Sequence, residues 1–237
     1  MNPALLIALA LGMRHGTDPD HLTAIDGLSR IRPRATNGLF FALGHGLVVT
    51  LLAVGVGAAI ANRVSFLGPW VLILIGVLNL WRVFRPPHAH HVVRRPIIGR
   101  PFLLGMLLAA GFETASQFAA LILTNQLNPW LVGGAFTFGM VIVDGLDGYL
   151  AASTQRLAST GASKATAASR LLGVVVVVFS FGLGGAELLN VDMDRFALPT
   201  GLALFAAVIG IRVWARTEQR ATIGGFSGQA STVVVAE

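Results

Sequence analysis

The chain has 237 residues, 54% of them hydrophobic and only 12% charged, with a mean hydropathy of +0.74 and a net charge of +6. Soluble domains carry about 25% charged residues, so a soluble globular protein is excluded, and the basic residues cluster in a way that gives no reason to invoke nucleic acid. Cysteine is absent, which excludes disulfides, thiolate metal sites and thiol redox chemistry.

Apolar runs predict an all-α polytopic membrane protein. It is read as a bundle of about seven transmembrane helices at residues 3–29, 37–61, 66–84, 98–123, 130–154, 168–190 and 197–215. Each run is about 19–27 residues, enough to span ~30 Å of hydrocarbon at ~1.5 Å per residue. No basic n-region precedes the first run, so no cleaved signal peptide is expected.

The first helix is unlike an ordinary span. It holds Arg14, His15, Asp18, Asp20, His21 and Asp26. Ionisable groups at membrane depth cost about 2.5–3.5 kcal/mol each on insertion scales, which marks them as functional. At about 100° per residue, His15, Asp18 and His21 share one broad face, Asp26 returns to it, and Asp20 points elsewhere. Pro19 lacks a backbone donor and clashes with the carbonyl of His15, and Gly16 weakens the same turn, so this helix is expected to be broken. Freed carbonyls near the midplane are what a broken transporter helix offers a cation.

Later helices add to the theme. The second carries His45, the fourth Glu113, Thr114, Ser116 and Gln117, and the fifth Asp144 and Asp147 on one face. Gly44, Gly46, Gly111, Gly139, Gly145 and Gly148 flank these positions and would allow close helix approach. Asp18, Asp20, Asp26, Glu113, Asp144 and Asp147 stand against one internal base, Arg14, so the interior needs protons or cations. Mixed imidazole and carboxylate donors suit a first-row divalent ion better than Ca²⁺ or Mg²⁺. A lone buried histidine is more often an interhelical hydrogen-bond donor; two beside aspartates on a proline-broken helix favour a cation site. His45 reads equally as ligand and as packing residue, and Asp144 and Asp147 could instead pair with Arg14.

Basic residues alternate between successive helix ends: Arg30, Arg32 and Arg34; Arg63; Arg82, Arg85, Arg94, Arg95 and Arg100; none; Arg156, Lys164 and Arg170; Arg195; Arg212, Arg216 and Arg220. The positive-inside rule then places the amino terminus outside and the carboxyl terminus in the cytoplasm. Residues 1–220 form the expected transporter domain, and residues 221–237, rich in Gly, Ser and Thr, a flexible cytoplasmic tail. The loop at 86–101 holds a cluster of His88, His90 and His91.

Four segments resemble one family in order. Residues 14–26, Arg-His-Gly-Thr-Asp-Pro-Asp-His-Leu-Thr-Ala-Ile-Asp, resemble the His-x4-Asp-His signature of the nickel/cobalt transporter family. The segments at 41–49 (Phe-Ala-Leu-Gly-His-Gly-Leu-Val-Val), 111–117 (Gly-Phe-Glu-Thr-Ala-Ser-Gln) and 138–148 (Phe-Gly-Met-Val-Ile-Val-Asp-Gly-Leu-Asp-Gly) are similar to its later motifs. The resemblance implies a permease for Ni²⁺ or Co²⁺ in the cytoplasmic membrane, with metal handling by His15, Asp20 and His21. It also implies a shortened form lacking the family's first helix. Glu113 and Gln117 stand where the family often has Asp and Glu.

The expected activity is Ni²⁺ or Co²⁺ uptake without a cofactor or enzymatic step, the metal being the substrate and the bilayer the partner. Efflux through the same site, or a non-transporting nickel-handling protein, are the alternatives. The candidate metal set is His15, Asp18, Asp20, His21, His45, Glu113, Asp144 and Asp147. His15, Asp18, His21 and His45 are the expected ligands; Glu113 and Asp144 add charge; Asp20 and Asp147 are outer or proton-carrying groups.

Overall fold

The computed structural model describes residues 2–55, 66–84, 100–111, 115–125, 127–191 and 193–233; for 115–118, 125, 194–195 and 218–233 it describes the backbone alone. Among these residues all regular structure is helical: α1 Pro3–His15, α2 Pro19–Ile31, α3 Asn37–Ala53, α4 Leu67–Val83, α5 Pro101–Gly111, α6 Ala115–Ile122, a short 3₁₀ turn Leu123–Asn125, α7 Pro129–Ser159, α8 Ser163–Leu188 and α9 Asp194–Val233.

Local chemistry sets several of these ends. Asn2 and Asn128 cap α1 and α7, each accepting from a backbone N–H two residues on, with proline at the first helical position where no donor is needed. The expected break in the first span is present: α1 stops at His15 and α2 restarts at Pro19. α8 starts at Ser163 rather than 168, because Ala165 and Ala168 pack against Ala215 of α9 and extend the helix through an otherwise polar stretch. The backbone of α9 stays helical through 221–233.

Among the described residues, three helices are long and apolar enough to cross a membrane: Pro129–Ser159, Ser163–Leu188 and, within α9, Phe196–Thr217. α1, α3, α4 and α5 are apolar but shorter. Large apolar side chains such as Trp70, Trp81, Phe138, Val178 and Trp214 face outward. The interior collects the polar residues. This is the arrangement of a multi-pass membrane protein, in which the outer surface meets hydrocarbon and polar groups must be satisfied within.

α2 is the axis of the molecule. Every residue from Pro19 to Arg30 is buried, although the helix carries Asp20, His21, Thr23, Asp26, Ser29 and Arg30. It packs on α7 and α8 and also touches α3, α4 and α9. Ala24, Ile25 and Leu28 join Phe41, Leu72, Ile75 and Leu108 in one apolar cluster. Leu22 joins Leu172, Leu204 and Val208 in another. A helix enclosed on all sides can be polar only if its neighbours supply partners.

Candidate metal centre

The break between α1 and α2 builds the first part of the site. Asp18 occupies the N-cap position of α2, yet its side chain caps nothing. Its Oδ2 accepts from His15 Nδ1 at 2.7 Å instead. The three residues between the helices thus let His15 and Asp18 meet just before His21 begins its own turn.

Three imidazoles converge there, all fully buried: His15 at the end of α1, His21 in α2 and His45 in α3. Ring centroids lie 4.5 Å apart for His15–His21, 4.8 Å for His15–His45 and 4.5 Å for His21–His45. One nitrogen from each falls within 4.8 Å of the others. His15 Nε2 and His45 Nε2 are 2.9 Å apart, a hydrogen bond that needs one donor and one acceptor. His21 Nδ1 donates to Asp144 Oδ2 of α7 at 3.0 Å. Phe136 lies against His15, and Phe41 meets His21 edge to face.

The bonding pattern assigns the tautomers. Neutral His15 and His21 rings that give Nδ1–H to these carboxylates keep the lone pair on Nε2. Metal-binding histidines are oriented this way by an acid behind the ring. His21 Nε2, Asp18 Oδ1 and Asp144 Oδ1 are buried and have no hydrogen-bond partner among the described residues. Buried acceptors without donors are costly, and a proton or a metal cation relieves them. His15, His21 and His45 could therefore hold a divalent ion, with Asp18 and Asp144 behind two of them.

The remaining candidates lie elsewhere. Asp20 is buried in the first turn of α2, with Oδ2 unpartnered among the described residues. Glu113 lies outside the described residues, as do His88, His90 and His91. Asp147 is bonded to Arg212 of α9: Nη1 donates to Asp147 Oδ1 at 2.6 Å and Nη2 to Asp26 Oδ1 at 2.8 Å. Arg212 is only 1% exposed. Arg14 is thus not the single internal base. In the sequence Arg212 groups with Arg216 and Arg220 as a marker of the cytoplasmic helix end.

Two close backbone approaches hold these groups in register. A Cβ on Gly12 of α1 would collide with the Phe136 carbonyl, and one on Gly139 of α7 with the Leu9 carbonyl. A Cβ on Gly38 of α3 would strike the Asp144 carbonyl, while one on Gly148 of α7 would meet the backbone of Gly38. α1 and α3, which carry His15 and His45, can therefore lie directly on α7, which carries Asp144. Gly145, expected beside them, faces open space.

With this geometry in view, the sequence comparisons point the same way. The family model NicO, described as high-affinity nickel-transport protein, matches residues 3–67, which contain all three histidines. Over that segment the chain is similar to the NicO family. It is 28% identical to the hydrogenase nickel incorporation protein HupN of Bradyrhizobium diazoefficiens, over 83% of this chain and 66% of that protein. It is 28% identical to a high-affinity nickel transport protein of Cupriavidus necator, over 81% of the chain and 71% of that protein. A shorter segment, 23% of the chain, is 44% identical to the cobalt transport protein NhlF of Rhodococcus rhodochrous, covering 17% of it. No solved structure matches the chain.

Proposed function

We propose that this chain is a NicO-type secondary transporter that carries Ni²⁺, with Co²⁺ as alternative cargo, inward across the cytoplasmic membrane through the His15, His21 and His45 centre. One observation carries the reading: three buried imidazoles face one another, and two are backed by carboxylates. Nitrogen donors with nearby carboxylates suit a first-row divalent ion. The names of the Cupriavidus and Rhodococcus relatives support nickel and cobalt as cargo. Asp18 and Asp144 orient His15 and His21 and supply charge. Asp20 adds a further buried carboxylate in the first turn of α2, and Glu113 is proposed as a further source of negative charge.

The same proposal counts seven spans: α1 with α2 as one broken span, then α3, α4, α5 with α6, α7, α8 and α9. The amino terminus lies outside and the carboxyl terminus inside, as the basic residues alternate. Residues 1–220 form the transporter and 221–237 a cytoplasmic tail. Inward movement of a 2+ ion gains about 4.6 kcal/mol per 100 mV of membrane potential, enough to drive accumulation without ATP.

Radioactive nickel uptake into proteoliposomes tests this. Saturable entry driven by an inside-negative potential and competed by cobalt is the expected result. Flux only outward would replace uptake by efflux. Binding without flux would leave a metal-handling protein.

A further inference from the structure

Arg212 does more than neutralise acid. Its two terminal nitrogens go to different helices: Nη2 to Asp26 on α2 and Nη1 to Asp147 on α7, with a longer bond of 3.4 Å from Nη1 to the Asp147 carbonyl. Those two helices also carry His21 and Asp144, joined at 3.0 Å. Asp26 follows His21 by five residues, about 7.5 Å along the axis, and Asp147 follows Asp144 by about one turn. The fork thus ties α2 to α7 close to where His21 must meet Asp144. α9 also reaches the break itself, since a Cβ on Gly201 would press on the Thr17 carbonyl.

We propose that Arg212 is a positioning residue for the metal centre: its guanidinium clamps Asp26 to Asp147 and so fixes the separation of α2 and α7 at which His21 is aligned by Asp144. This rests on the metal-centre reading above. A planar guanidinium can bond two carboxylates at once in a fixed geometry. A lysine ammonium keeps the charge but lacks the fork. A neutral replacement of all three residues removes charge and bonds together. Charge balance and positioning therefore predict different outcomes.

The experiment measures nickel binding to the purified full chain by equilibrium dialysis, at matched folded amounts. Arg212→Lys and the triple variant Asp26→Asn, Asp147→Asn, Arg212→Met are compared with the unaltered chain. Both are expected to need roughly 10–100-fold more nickel for half-saturation, the usual loss when an outer partner of a metal ligand is removed. Half-saturation within about twofold of the unaltered chain in either variant overturns the clamp. The triple variant matters because it separates a positioning fork from a counter-charge: if balance alone counted, it would bind normally. An unaltered chain that binds nickel but carries none would sink the transport reading and leave this test intact. One that binds no nickel would sink both.

Discussion

Along α2 and α7, His21 and Asp144 form one buried contact, and Asp26 and Asp147 reach Arg212 in another. Both regions are buried, both contain aspartates, and both join the same two helices. They differ in who supplies the cation. At Asp26 and Asp147 the protein supplies its own, on a side chain that cannot leave. At the histidines the carboxylates Asp18 and Asp144 accept from His15 and His21, and one nitrogen of each of the three imidazoles falls within 4.8 Å of the others. The filled cluster is thus a structural joint, and the other has the chemistry of a seat for a guest ion.

The largest effect should come from emptying the seat. His15→Ala or His21→Ala is expected to reduce nickel accumulation to background at unchanged membrane abundance, measured by uptake alongside immunoblotting. Loss of abundance equal to the loss of uptake would make the histidines structural and erase the contrast. Arg212→Met should do the opposite. It leaves two buried carboxylates without their cation, a change worth about 3–5 kcal/mol of stability. A sharp fall in folded protein, read as monodisperse protein after heating in detergent, is expected. Normal thermal behaviour would show that Asp26 and Asp147 find other partners.

Asp144→Asn should sit between these extremes. Asparagine keeps the size of the side chain and can still accept from His21 Nδ1, but it loses the charge that polarises the ring. Metal affinity should weaken by about 10–100-fold with little change in stability. An unchanged nickel half-saturation would remove Asp144 from the centre.

Much of the histidine centre was legible, because its determinants are local. Pro19 and Gly16 announce the break, and His15, Asp18 and His21 lie within a few residues of it. His45 could be suspected only as a polar residue in an apolar helix; nothing local says that it reaches His15. Asp26 was misplaced for a physical reason. Counting 100° per residue from His15 returns it to the metal face, but the break resets the helical phase. Counted within α2 alone, Asp26 lies about 140° from His21 and so points to another neighbour. Arg212 was obscured by its position near a helix end rich in arginine. It continues the buried stripe Leu204, Val208, Arg212 and Ala215, while Val213 and Trp214 face outward. That stripe was hard to see beforehand, because in a membrane helix both faces are apolar and periodicity loses contrast.

The smallest effects concern the surface on which the two clusters are mounted. Gly145 and Gly148 lie on the same helix, three residues apart, and read alike in the sequence. Gly148 meets the backbone of Gly38, which has no side chain that could yield. Gly148→Ala must therefore push α3 from α7, at about 1–3 kcal/mol as for other overpacked contacts. Because His45 rides on α3, nickel affinity should fall along with thermal stability. Gly145→Ala enters open space, so its effect reduces to helix propensity and lies within about 1 kcal/mol, favourable in sign. Equal destabilisation by the two alanines would mean that α3 and α7 are not in backbone contact. The route by which His45 reaches the other two imidazoles would then need another explanation.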